Sequence, residues 1–197
     1  VQNISYSSTV RGLGASETFV TTQGDTDSIQ AFQVFVDEHY INNLGLKLLA
    51  GENFQSEEKF RERSIIVNDV FLEKHSIANP ADALGKVYTV DSLELQVIAV
   101  VKNFNFMGLR EPIYSFLFRY NPSQFRYANL RVASTDINST LEDMQAIWHK
   151  LSPETPFEPK FFEQEIAESC DSYKVMLKIV GLRGARALSI SCVGLLG

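Results

Sequence analysis

The last eleven residues, "ALSISCVGLLG" (Ala187–Gly197), contain no charge, no Asn, no Gln and no Pro. The rest of the chain is polar, acidic and studded with turn residues. Such a segment must be shielded from water, either in the core of a folded domain or in lipid. A bilayer span takes about 20 apolar residues, and the uncharged run after Arg186 stops at eleven. Length alone therefore leaves two readings open, a buried terminal helix and the opening of a membrane span. From Glu163 onward the pattern is helical, with Ile166, Cys170, Tyr173, Leu177 and Val180 on one stripe. Beyond Arg186 the apolar character covers every face, as lipid or deep burial requires.

Upstream, short strands and helices alternate. Phe32, Val34 and Val36 follow strand periodicity. Asp37 is placed to cap a helix over 38–44, and Gly45 to end it in a left-handed conformation. Ile65 to Val67 form a buried strand, and Asn68 caps a helix reaching His75. Asn79-Pro80 breaks the chain. A hairpin follows, with strands 86–90 and 93–102 around Asp91-Ser92. Leu93, Leu95, Val97, Ala99 and Val101 are expected to share one face of its second strand, whose far end is apolar on both faces and belongs inside a sheet. "IYSFLFRY" and "YANLRVAS" read as strands on either side of the turn "NPSQ". Asn138 is expected to cap a helix carrying Leu141, Met144, Trp148 and Leu151 on one stripe. Pro153 and Pro156 end that helix, and "FEPKFF" reads as a last strand. The pattern predicts an α+β fold of two lobes, one from residues 1–56 plus 120–175 and a smaller one inserted at 57–119.

At 197 residues, with 45% hydrophobic and 21% charged side chains, the chain can bury one good core or two small ones. A net charge of −6 and the lack of any Lys/Arg cluster argue against nucleic acid. Cys170 and Cys192 do not suggest a structural disulfide, since one lies in the apolar tail. Val1 opens the chain without a basic, apolar, small-residue leader, so delivery outside the cytoplasm would depend on a segment beyond these residues.

Searches for chemistry return no site. His39, His75 and His149 each sit on a predicted helix without a second ligand at i+4. Gly85-Lys86 lacks the leading glycine and the Ser/Thr of a phosphate loop, and "RGLGASE" lacks the third glycine of a dinucleotide fingerprint. Glu163 and Glu165 stand at a helix start, where negative charge suits the dipole. Asp25 and Asp27 lack the glycine and distal glutamate of a calcium loop. No G-x-S-x-G elbow exists. No residue is assigned a catalytic, cofactor-binding or metal-binding role.

Several stretches nevertheless match one family in its own order. "ISCVGLLG" resembles the I-S-C-L-G-L-F-G sequence that opens the second membrane span of MacB/FtsX-type ABC transporter permeases, especially their Bacteroidetes-like branch. "VDEHYINNLGLKLLAGENF" resembles the family's V-D-x-x-Y…G-x-x-L-L-x-G-R-x-F block. "IIVNDVF" with "NPADALGK" is similar to I-V-N-E…x-P-I-G-K. "VIAVVKNFNFMGLREPI" resembles I-I-G-V-V-K-D-F-H-F-x-S-L-R-x-x-I, and "WHKLSPETPFE" resembles W-x-x-x-x-P-x-x-P-F-x. The matches run from about residue 32 to the end. Glu52 stands where the family usually has Arg, and Asn105 where His is common. Arg183 and Arg186 would lie at the outer face of the membrane, against the usual cytoplasmic bias of basic loops.

The resemblance implies a non-catalytic periplasmic domain between the first and second spans of a four-span inner-membrane permease. Its implied fold is a porter-like lobe carrying a smaller inserted α/β lobe. Residues 176–197 would be a juxtamembrane helix and the start of the second span. The implied partners are an ABC ATPase subunit or domain in the cytoplasm, a second permease copy, and a periplasmic adaptor or substrate protein. The implied work is mechanical, carrying ATP-driven motion across the membrane for export or for activation of a partner. Two other classes remain to be separated from it: a membrane-tethered ligand sensor of PAS or Cache type, and a soluble hydrolase whose site only the fold assembles.

Overall fold

Period-two hydrophobicity dominates the residues that the computed structural model describes, 3–10, 14–22, 27–55, 62–106, 111–132 and 137–161. In chain order they form β1 (Asn3–Ser7), β2 (Ser16–Thr22), β3 (Ser28–Phe35), α1 (Tyr40–Asn43), β4 (Leu48–Gly51), β5 (Ser64–Asn68) and α2 (Asp69–Lys74). After these come β6 (Val87–Val90), β7 (Leu93–Val101), β8 (Phe116–Arg119), β9 (Tyr127–Arg131) and α3 (Ile137–Leu151). The class is α+β, as the sequence predicts. The chain divides into two compact units, Val1–Glu154 and Thr155–Gly197, and every element above lies in the first. The described part of the second unit, residues 155–161, holds neither helix nor strand. The strand expected at "FEPKFF" does not form over Phe157–Phe161, where Pro159 cannot donate to a ladder. The stripe Ile166–Val180 and the tail 176–197 lie outside the described residues.

One seven-stranded sheet runs in the order β4-β7-β5-β8-β3-β2-β6, and β6 pairs again with β7. That last pairing closes β7, β5, β8, β3, β2 and β6 into a small barrel, with β4 attached outside on β7. Every strand of the ring sends alternate residues into one cluster, among them Val20, Ala31, Val67, Val90, Val97 and Leu117. Phe71 and Leu72 of α2 join this cluster and close the barrel at the C-terminal end of β5. A second cluster lies on the outer face of β3, β8, β5 and the far end of β7, covered by Tyr40 and Ile41 of α1 and by Phe54 and Phe106.

This sheet corrects the expected lobe boundary at 57–119. β3 pairs in parallel with β8, Phe32 opposite Phe116, and β4 pairs with β7, Gly51 opposite Ala99. Strands from both blocks thus alternate in one sheet. The physical reason lies in β5 and β8, whose residues are all buried. Such strands need neighbours on both edges and cover on both faces, and strands from residues 1–56 supply part of each. The two chain regions assigned to the outer lobe do meet elsewhere, because β1 and β9 form a separate antiparallel ribbon with Ser5 opposite Asn129.

Local signals performed unevenly. Asn68 caps α2, its side-chain oxygen accepting from the Phe71 amide at 3.1 Å. Asp91 and Ser92 adopt left-handed backbone, φ 49° and 66°, as a tight hairpin turn demands. Asp37 does not cap α1. Its amide donates to the Tyr6 carbonyl at 3.1 Å, so it stays with the strands, and the shorter helix starts at Tyr40. α3 already includes Ile137, so Asn138 lies within it rather than at its cap. Leu141 and Met144 are half-buried on α3, while Leu151 is 78% exposed. The strands flanking "NPSQ" form, but β8 enters the barrel and β9 joins the ribbon.

The expected single face of β7 also needs correction. Val97 pairs with Ile65 but Ala99 pairs with the next residue, Ile66, so Ile98 is one extra residue opposite β5. A bulge of this kind reverses the alternation that follows it. Leu95 and Val97 face the barrel interior, whereas Ala99 and Val101 face the outer cluster. Gly51 sits against this bulge at φ 77°, and a Cβ there would meet the Ile98 carbonyl oxygen at 2.0 Å and the Ala99 Cα at 2.8 Å. Gly45, at φ 65°, has open space around it. Urea unfolding should therefore separate the two glycines: Gly51→Ala loses about 3 kcal/mol through clash plus backbone strain, and Gly45→Ala about 1 kcal/mol through strain alone.

Candidate functional site

The barrel has two differently built ends. At the end holding the β6–β7 turn, Arg119 of β8 is buried inside the ring. Its Nε pairs with the Glu62 carboxylate and its Nη1 with Asp91. Nη1 also donates to the Gln33 side-chain oxygen at 2.7 Å, and the guanidinium lies 4.9 Å from the centre of the Phe35 ring, within cation–π range. Asp91 further accepts from Thr18 Oγ1 at 3.0 Å and from Gln33 Nε2 at 3.2 Å. A buried guanidinium is tolerable only with such partners. Here they come from β2, β3, the β6–β7 turn and the approach to β5, so the cluster ties the ring together at one end. Sequence reasoning missed it. The available signal was Arg119 itself, a lone charge inside the apolar run "SFLFRY".

At the opposite end, α2 leaves an open groove of about 510 Å³ lined by Thr22, Ile29, Lys74, His75, Ser76, Ile77, Lys86, Val87 and Tyr88. The His75 ring stacks on Phe71 at 4.1 Å and meets the edge of Tyr88 at 4.7 Å. His75 Nδ1 lies 2.8 Å from the Phe71 carbonyl, which can only accept, so in the neutral ring Nδ1 carries the proton. Burial lowers the imidazole pKa from its ordinary value, against the opposing effect of that backbone bond, and raises that of the Tyr88 phenol.

A polar seam joins the β1–β9 ribbon to the barrel. Asn43 at the end of α1 donates to Ser5 Oγ at 2.8 Å and to the Asn129 carbonyl at 2.9 Å. Within the ribbon Asn129 donates to Ser7 Oγ at 2.9 Å, and at the end of β1 the Ser8 amide donates to the Phe35 carbonyl at 2.8 Å and the Asp37 amide to the Tyr6 carbonyl at 3.1 Å. Ile4, Tyr6 and Leu130 lie on the exposed opposite face. Asp37 is buried beside this seam, and burial raises its carboxyl pKa.

Those residues weighed for chemistry that are described do not converge. His39 is exposed near the Glu38 carboxylate, His75 lines the groove, and His149 is exposed in the last turn of α3. Gly85 and Lys86 lead into β6, where the Gly85 amide donates to the Val97 carbonyl at 2.9 Å. Asp27 is an exposed residue before β3. Asp25, Glu163, Glu165, Cys170 and Cys192 lie outside the described residues. Among the described residues no three His, Cys, Asp or Glu side chains are grouped to hold a metal ion, and no helix is long and apolar enough to cross a membrane.

No family model and no curated protein matches the chain by sequence. Solved structures match by fold, and three of them are extracytoplasmic regions or domains ascribed to bacterial transport proteins. The extracellular domain of the noncanonical ABC-type transporter YknZ from Gram-positive bacteria superimposes with a TM-score of 0.57 at 14% identity, over 79% of this chain and 78% of that one. The periplasmic region of MacB from Actinobacillus actinomycetemcomitans gives 0.54 at 16% identity, over 77% of this chain and 67% of that one. A domain ascribed to a permease of Porphyromonas gingivalis gives 0.52 at 13% identity, over 83% and 78%. At these identities the likeness establishes the fold.

The Arg119 cluster sets a pH dependence. Burial alone would raise the Asp91 pKa, but hydrogen bonds from Gln33, Arg119 and Thr18, with the Arg119 charge, outweigh it and hold the carboxyl below its ordinary 3.8. The unfolded chain therefore takes up that proton first. The stability contributed by ionised Asp91 is complete above 3.8 and is lost as pH falls from there through the folded-state value. In Asp91→Asn this loss is absent. Urea titrations from neutral to strongly acidic pH should show the native chain more stable than the variant at neutral pH, with the gap narrowing only below that point.

Proposed function

We propose that this chain is the periplasmic domain of an inner-membrane ABC transporter permease of the MacB/FtsX type, and that it transmits motion rather than performing chemistry. One observation carries the reading: the chain shares its fold with three extracytoplasmic transport-protein domains over 77% or more of its length. The motif series supports it from a second direction. Tyr40, Phe54, Phe104, Phe106 and the bulge glycine Gly51, all within stretches that resemble the family, gather in or against the outer cluster. Tyr40 lies 5.9 Å from Phe118, Phe104 stacks on Phe118 at 5.4 Å, and Phe106 lies 4.8 Å from Phe116. These positions answer packing demands, as befits a rigid body moved by its surroundings.

In this reading a cytoplasmic ATPase subunit or domain drives two permease copies, and residues 176–197 form a juxtamembrane helix entering the second span. The barrel, clamped at Arg119 and plugged by α2, moves as a unit. The β1–β9 ribbon, joined to the body by the Asn43 side chain and by backbone hydrogen bonds where β1 meets the end of β3, adds no side chain to either apolar cluster and is the element we assign to shift. A periplasmic adaptor or substrate protein would receive that motion.

Two measurements test the proposal. In the full-length protein, with Cys170→Ser and Cys192→Ser as background, Ser123→Cys places a thiol on the exposed turn after β8. A membrane-impermeant maleimide should label it in intact spheroplasts, and the protein should copurify with an ATPase. Labelling that appears only after lysis overturns the periplasmic placement. Separately, ending the 197-residue chain after Lys178 should leave its Tm little changed and improve its solubility. Unfolding of the shortened chain would instead make "ALSISCVGLLG" part of a core.

A further inference from the structure

We propose that the groove at the α2 end of the barrel binds a small amphipathic anion, an acyl or aryl carboxylate whose apolar body lies on Ile29, Ile77, Val87 and Tyr88 and whose charge meets Lys74 and Lys86. This goes beyond the mechanical role and does not depend on it. The groove is open on one side and holds about 510 Å³, room enough for a small ligand to lie along it. Its apolar surface comes from Ile29, Ile77 and Val87, all half-buried, with the edge of the buried Tyr88, beside polar surface from Thr22, Ser76 and the lysines. The stacked His75 ring, neutral with Nδ1 committed to the Phe71 carbonyl, continues this wall rather than adding charge.

The rim has one sign. Lys74 and Lys86 are exposed lining residues, and no carboxylate joins them among the described residues. Neither lysine has an ion-pair partner among those residues, in a chain whose net charge is −6. Two ammonium groups with no carboxylate partner among the described residues, beside a partly apolar concavity, favour a ligand with one negative end and an apolar body, since a cation would be repelled and a neutral molecule would leave the rim unused. A polyanion would need more cations and no apolar floor. The hydroxyls of Thr22 and Ser76 can hydrogen-bond a carboxylate that reaches the rim.

The test is a titration of the full 197-residue chain, followed by amide chemical shifts, with decanoate, decyltrimethylammonium and decanol below their aggregation limits. Decanoate should give saturable shifts concentrated at Thr22, Ile29, Ser76, Ile77 and Val87, with decanol weaker and the cation weakest. Neutralising the rim in Lys74→Gln/Lys86→Gln should weaken decanoate by about threefold, and reversing it in Lys74→Glu/Lys86→Glu by about tenfold, as expected for exposed charge pairs. Both variants alter exposed side chains and should keep the native spectrum. The proposal is overturned if decanoate gives no saturable shifts, if the shifts centre elsewhere, or if either control ligand binds as tightly. Unchanged affinity in a folded Lys74→Glu/Lys86→Glu variant overturns it as well.

Discussion

The fold turns on seating β8. Its four residues, Phe116–Arg119, are all buried, and the strand is hydrogen-bonded on one edge to β3 and on the other to β5. Both contacts join segments far apart in sequence, so loop closure must precede the reward of pairing. Asn68 guides the placement, because its side-chain oxygen accepts from the Phe116 amide at 2.9 Å while also capping α2. Its side-chain amide donates to the Tyr114 carbonyl at 2.8 Å. One buried side chain thereby holds the end of β5, the start of α2 and the entry to β8. At the other end of β8, Arg119 cannot remain buried without Glu62 and Asp91. Correct seating of this strand and assembly of the ion cluster are therefore the same event.

The two hydrophobic clusters depend on that event in different ways. The inner one exists only when the ring is closed, since all six of its strands contribute. The outer one is a layered packing of α1 and the Phe104–Phe106 segment on one side of the sheet. β7 serves both because the bulge at Ile98 changes the face of its later residues, and Gly51 allows β4 to approach that irregularity. The family-like motifs concentrate on the outer cluster, which explains why they carry little chemistry: they specify aromatic packing, a glycine and a cap.

The closed barrel has an ion cluster at one end and a helix packed across the other. The β1–β9 ribbon differs, because it is joined to the body by the Asn43 side chain and by backbone bonds at the end of β1, and its outer face exposes Ile4, Tyr6 and Leu130. Hydrogen bonds between neutral groups contribute about 1 kcal/mol each, so this attachment is weaker than the apolar packing of the ring. The groove beside α2 lies at the ring's other end, where Ile29, Ile77 and Val87 approach solvent beside Lys74 and Lys86.

By itself the sequence determined the local elements whose signals are short-range. The Asn68 cap, the Asp91-Ser92 turn, the left-handed Gly45 and the strand at Ile65–Val67 depend on neighbouring residues, and the structure contains each of them. The family resemblance also lay open in the ordered motifs. Tertiary structure decided how the strands were shared. Alternation shows that Phe32–Val36 and Phe116–Phe118 are strands, but not that they pair in parallel across an expected lobe boundary. It also could not reveal the bulge at Ile98, which follows from competing registers with β4 and β5. Arg119 shows the same limit most clearly. A lone arginine in an aromatic strand announces that something must neutralise it, yet Glu62, Asp91 and Gln33 become its partners only when the closing ring brings three distant segments to one end of the barrel.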